Sequence, residues 1–270
     1  VNYFDTTWLN EVEVLADAFR RGGVGEDCVV SMQFVDGLSD PDWRSRLRPE
    51  LEQRLAAMGY SRAPLFLTGV GNGSPTFRDL VACGEEMAKL RNEGLIGHIG
   101  FSCHQLEYFP MLARLIRETD LVDYMMIRFN WKYPQAAEEL FPVAAEHDVG
   151  LVAMKVFCWD CGPGQWGRRI SVFEPAGTPS EGDQARGLTA AQRSLVWNLT
   201  NSPCAVVVPA MNSLWEAQEN LRALALMDQE IDTQDFPAYA ERLWTDAELR
   251  ALAASADSAT IRARARALYP

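Results

Sequence analysis

No stretch of this sequence approaches the roughly 18 uninterrupted apolar residues that a membrane-spanning helix requires. Its first residues do not form a basic segment followed by an apolar run, so the expectation is a chain without a secretory leader, working in the cytoplasm. Positive charge is scarce: 25 Lys and Arg against 37 Asp and Glu give a net charge of −12. Long-range repulsion then disfavours nucleic acid and anionic membrane surfaces as partners, and the acidity serves solubility. Cysteine is thin for a scaffold held by disulfides, with 6 in 270 residues. Asn72-Gly-Ser and Asn198-Leu-Thr match the glycosylation sequon, but without a leader they are chance matches.

What is present is an alternation. Short apolar runs occur at 1–5, 28–34, 64–70, 97–102, 122–128, 149–155 and 204–209. They are rich in β-formers and bounded by Gly, Pro and polar residues, which predicts buried parallel strands. Between them lie amphipathic segments. In LEQRLAAMGY, at 51–60, Leu51, Leu55 and Met58 share one helix face. Capping boxes at Thr189/Gln192, Ser213/Glu216 and Thr245/Glu248 mark helix starts, and 213–227 and 245–267 read as helices. Strands alternating with helices indicate βα units within one domain, 1–270. The stretch at about 158–187 is rich in Gly, Pro and Trp without a helical period, and reads as a long functional loop. A closed barrel of this type has eight strands, and seven are visible.

Four stretches, taken in order, carry a family resemblance. FDT at 4–6, EGLIGHIGFSCH at 93–104, GLVAMKVF at 150–157 and VVPAMNSLWEAQEN at 207–220 resemble the aldo-keto reductase superfamily. They are nearest its subgroup with G-F-S-x-H and M-K motifs, and the resemblance runs from residue 1 to about 255. It implies an α/β fold, a (β/α)8 TIM barrel of aldo-keto reductase type. Seven βα units are visible and the family's first strand and helix are missing ahead of them.

The resemblance also implies a mechanism: hydride transfer from NADPH to a carbonyl, with a tyrosine donating the proton. A lysine, an aspartate and a histidine support that tyrosine. Carried over by position, Asp5 matches the aspartate, whereas the tyrosine falls on Asn10, the lysine on Gln33 and the histidine on Gly69. Asparagine has no proton to give at neutral pH, glutamine carries no charge and glycine no side chain. The usual reduction is therefore not expected.

For the cofactor, Ser102 and Cys103 fall where reductases hold the nicotinamide amide with Ser-Asn, and Met126 falls where they use glutamine. Near the 2′-phosphate the sequence offers Ala210, Asn212 and Glu216, while Glu219 and Asn220 match the pattern. An acid there repels phosphate. NADPH or NADH binding is expected to be weakened, and Lys155 is the remaining candidate for a cofactor-loop role.

Other chemistry is weighed on the residues themselves. Asp5 without a lysine should hold its proton more tightly, with Gln33 replacing the cation by an amide, or it is a relic in a polar cluster. His104 is the second acid–base candidate. Cys103 and His104 with Cys158 and Cys161 would suffice for zinc, but one C-x-x-C is weak, and no metal is the reading taken. Lys155 and Arg128 end their strands and could meet an anionic substrate group. Trp8, Trp131, Trp159 and Trp166 in loops suggest an apolar or aromatic ligand.

Three functions follow. The first is a small-molecule enzyme with non-hydride acid–base chemistry at Asp5 and His104. The second is an NAD(P)H-dependent oxidoreductase with another proton donor. The third is a noncatalytic binding protein, as a homo-oligomer or with a homologous partner subunit.

Overall fold

The structure is a computed structural model that describes residues 2–23, 27–35, 37–71, 74–157, 189–211, 214–227 and 233–245. Seven strands are found where the apolar runs predict them: β1 (Tyr3–Thr6), β2 (Val29–Phe34), β3 (Ala63–Val70), β4 (Ile96–Cys103), β5 (Tyr124–Arg128), β6 (Gly150–Met154) and β7 (Val206–Val208). They form one sheet in sequence order, and β1 through β5 pair in parallel. The chain divides into two compact units, Val1–Ile127 with Ala136–Val152, and Arg128–Gln135 with Ala153–Pro270.

In the first unit the helices are α1 (Leu9–Gly22), α2 (Trp43–Met58), α3 (Phe77–Asn92), α4 (Phe109–Glu118), α5 (Ala136–Glu139) and α6 (Phe141–Glu146). Local sequence explains their ends. Glu11 accepts from the Thr7 and Trp8 amides ahead of α1, and Gly23, at φ 62°, closes it in the left-handed conformation. Thr76 and Asp79 form the reciprocal box at the start of α3. The helix expected near 51 begins earlier, at Trp43, and runs through Pro49. The proline lacks an amide hydrogen, which made the segment read as shorter than it is.

Register sorts the strand residues onto two faces. On one, Met32, Phe66, Ile99, Phe101, Met125 and Ile127 align across β2 to β5, all fully buried. This face is the apolar core of the unit. The opposite face carries Asp5, Ser31, Gln33, Gly69, Gly100, Ser102 and Tyr124, interspersed with leucines. Polar residues that the alternation could have sent to solvent are gathered here instead.

In the second unit the described helices are α7 (Ala190–Thr200), α8 (Leu214–Leu226) and α9 (Phe236–Thr245). The Thr189/Gln192 box is present at the start of α7. Ser213 lies outside the described residues, as does nearly all of 245–267; Thr245 itself is the last residue of α9. This helix, which the sequence did not announce, carries Pro237 in its first turn, where a proline costs no hydrogen bond. The 158–187 segment lies outside the described residues too. Among the described residues no helix is long and apolar enough to cross a membrane.

Candidate functional site

The polar face of the first unit is layered. In the lower layer Asp5 pairs in register with Ser31, and the Ser31 and Tyr124 hydroxyls lie 3.3 Å apart. Tyr124 reaches across because its neighbour in register is Gly100: a Cβ there would collide with the ring. Tyr3, two residues before Asp5, projects from the same side of β1. Burial pushes the Tyr3 and Tyr124 phenols well above the usual tyrosine range. The negative charge of Asp5 pushes both in the same direction. Ser31 and Tyr124 are 93 positions apart, so no local pattern announces this grouping.

The upper layer is uncharged. Thr7 Oγ1 donates to Gln33 Oε1 at 3.5 Å, and a Cβ on Gly69 would come 3.3 Å from Gln33 Nε2. Ser102 is the register neighbour of Gly69, and Met126 of Ser102. Of the positions singled out by resemblance, Gln33, Gly69 and Ser102 are thus brought together. Asn10 is not: it is exposed in the first turn of α1.

His104 follows β4, half-buried, next to Cys103. The Cys103 side chain is fully buried, and its thiol donates to the Gln105 carbonyl at 3.2 Å. Gln105 itself stands over Gly71, whose φ of 122° suits glycine, and a Cβ there would strike the Gln105 amide. Cys158 and Cys161 lie outside the described residues, as do Trp159 and Trp166. Of the remaining loop tryptophans, Trp8 is exposed at the start of α1, and Trp131 is buried.

The second unit holds the remaining candidates. Arg128 closes β5 and is only 5% exposed, its guanidinium stacked 4.7 Å from the centre of the Tyr133 ring. Asn130, fully buried, accepts from the Lys132 and Tyr133 amides and donates from Nδ2 to the Lys155 carbonyl at 2.8 Å. Lys155 is held in the left-handed region at φ 59°, which a branched-chain-free but non-glycine residue adopts at a cost. Glu219 and Asn220 are both buried on α8, where Gln192 Nε2 donates to the Glu219 carbonyl at 3.0 Å. Glu216 is half-buried on the same helix, Ala210 is exposed, and Asn212 lies outside the described residues. The Asn220 Nδ2 has no hydrogen-bond partner among the described residues.

No protein-family model matches the sequence, and no curated protein matches it. Solved structures do. Aldose reductase from Giardia lamblia is 16% identical, with a TM-score of 0.66 over 89% of this chain and 84% of that one. An aldo/keto reductase from Klebsiella pneumoniae, solved with NADP and acetate, is 20% identical, with a TM-score of 0.63 over 90% and 80%. An aldo/keto reductase from Brucella melitensis is 17% identical, with a TM-score of 0.61 over 88% and 83%. The class of fold is thereby defined: the chain has the (β/α) barrel fold of the aldo-keto reductases, as the motif order implied.

Proposed function

We propose that this chain is a small-molecule enzyme on an aldo-keto reductase scaffold that moves protons rather than hydride, with Asp5 and His104 as the acid–base residues. The observation that carries the reading is the Thr7–Gln33–Gly69 layer. At the positions matched to the family's lysine and histidine stand an amide, whose oxygen accepts from Thr7, and a bare backbone. A phenol acting as general acid needs a cation to lower its pKa, and a neutral amide does not supply one. Asn10, matched to the tyrosine, is exposed and has no ionisable proton.

The nicotinamide fits this donor set poorly. Met126 offers its carboxamide no hydrogen bond, and the Cys103 thiol is engaged with Gln105, which leaves Ser102 alone. Below, Asp5 shares its layer with Tyr3 and Tyr124, whose protons stay in place at physiological pH because burial disfavours the phenolates. A carboxylate so placed can take up or return one proton while its neighbours hold theirs. His104, which follows β4, is assigned the complementary transfer.

The test is proton exchange. The protein is incubated in D2O with a panel of small hydroxy and keto acids, and loss of C–H signals is followed by proton NMR. Exchange that disappears in Asp5→Asn and falls in His104→Ala supports the assignment; exchange unchanged by both variants removes these residues from it.

A second reading, an oxidoreductase using NAD(P)H with another proton donor, is favoured by α8. Glu219 and Asn220 match the family's pattern, and the buried Asn220 Nδ2 has an unspent donor. The Klebsiella neighbour binds NADP.

A further inference from the structure

Among the described residues of the second unit, Arg128 stands out as a buried cation with little to compensate it. A buried cation is tolerated when a carboxylate or several acceptors replace the water it lost. Here Nε and Nη2 are buried and have no hydrogen-bond partner among the described residues. Among the described residues, the Tyr133 ring lies against the face of the guanidinium. A ring face screens the plane of the group and leaves its edges untouched.

The two idle donors are informative as a pair. Nε–H and Nη2–H lie on one edge of the guanidinium and point the same way, at the spacing of the two oxygens of a carboxylate. The side chain is also held in place. Asn130 ties the 130–133 turn through two backbone amides, which sets the Tyr133 ring over Arg128. The same asparagine fixes the Lys155 carbonyl. The cation next in sequence, Lys132, is occupied by Glu241 at 3.2 Å. Strain at Lys155, an immobilised turn and a desolvated, uncompensated edge are features of a site arranged in advance for a ligand.

We propose that Arg128 is the anion-recognition residue of this protein, and that it receives the carboxylate of a small organic acid edge-on through Nε and Nη2. The assignment stands apart from the acid–base reading, because it is decided by binding alone.

The experiment measures the shift in melting temperature and the calorimetric Kd of the whole chain with benzoate, pyruvate and inorganic phosphate, against chloride at equal ionic strength. Binding of benzoate or pyruvate to the wild type is expected, weakened about ten- to hundredfold in Arg128→Gln, the loss expected when charged hydrogen bonds are removed. Arg128→Lys is expected to recover little, since a point charge lacks the fork. Arg128→Met serves as the folding control: without ligand it should melt at least as high as the wild type, because it removes a desolvated charge. Carboxylate binding that survives Arg128→Gln overturns the proposal, as does response to phosphate alone or to none of the three. Unfolding of Arg128→Met also overturns it, since the guanidinium would then have a structural partner.

Discussion

The lower layer of the first unit and the Arg128 corner of the second solve the burial of polar groups in opposite ways. Around Asp5, uncharged hydroxyls from three strands share a layer with one carboxylate, and glycine at 100 opens the space for Tyr124. Around Arg128, one asparagine spends every side-chain polar atom on holding backbone, while the charge beside it has one edge without a hydrogen-bond partner among the described residues. The first arrangement suits holding protons; the second suits waiting for an anion. A single fold thus carries two polar environments with different tolerance to change.

The largest expected effect is at the second. Asn130→Ala removes three side-chain hydrogen bonds in a fully buried place, while the Tyr133 amide keeps its bond to the backbone carbonyl of residue 130. A loss of about 3 kcal/mol or more is expected by urea unfolding, with weakened carboxylate binding in whatever remains folded. If stability hardly moves, the corner is not rigid and the contrast fails.

The first region is probed by paired glycine variants. Gly100→Ala drives a methyl into the Tyr124 ring and should cost about 1–3 kcal/mol. Gly69→Ala meets only the end of the Gln33 side chain, at 3.3 Å, and should stay within about 1 kcal/mol of wild type. Equal costs would mean that the two layers are not packed differently.

The smallest effect is a pH dependence. The Tyr3 and Tyr124 phenols are pushed up in the fold by burial first, and by Asp5 among the charges. A raised folded pKa gives stability that is complete below the unfolded value, near 10, and is lost as pH climbs through the folded one. Melting temperature should therefore fall above about pH 10, with two tyrosines ionising only as the chain unfolds when followed at ultraviolet wavelengths. Asp5→Asn should soften that fall, because it removes a charge that opposes the phenolates.

The strands were legible because each is an apolar run with sharp boundaries, and the motifs FDT and GFSCH gave their order. The early start of α2 was hidden behind Pro49, and α9 carries Pro237 in its first turn, both tolerated by context that a local pattern does not contain. Asp5, Gln33 and Gly69 could be picked out by position, and Arg128 as a strand-end cation. Their partners could not. Ser31 meets Tyr124 only through register across four strands, and the edge of Arg128 that has no hydrogen-bond partner among the described residues is set by tertiary packing. Asn130 looked like an ordinary loop residue, and its role arises only once β6 brings the Lys155 carbonyl alongside.

The central claim, that this barrel does not reduce carbonyls with a nicotinamide, is tested most directly by following NADPH and NADH absorbance with a panel of aldehydes and ketones. The expected result is oxidation no faster than the enzyme-free blank with either cofactor. Saturable turnover of NADPH by the purified wild type, abolished by Asp5→Asn, would contradict the account and place Asp5 back in a hydride-transfer site.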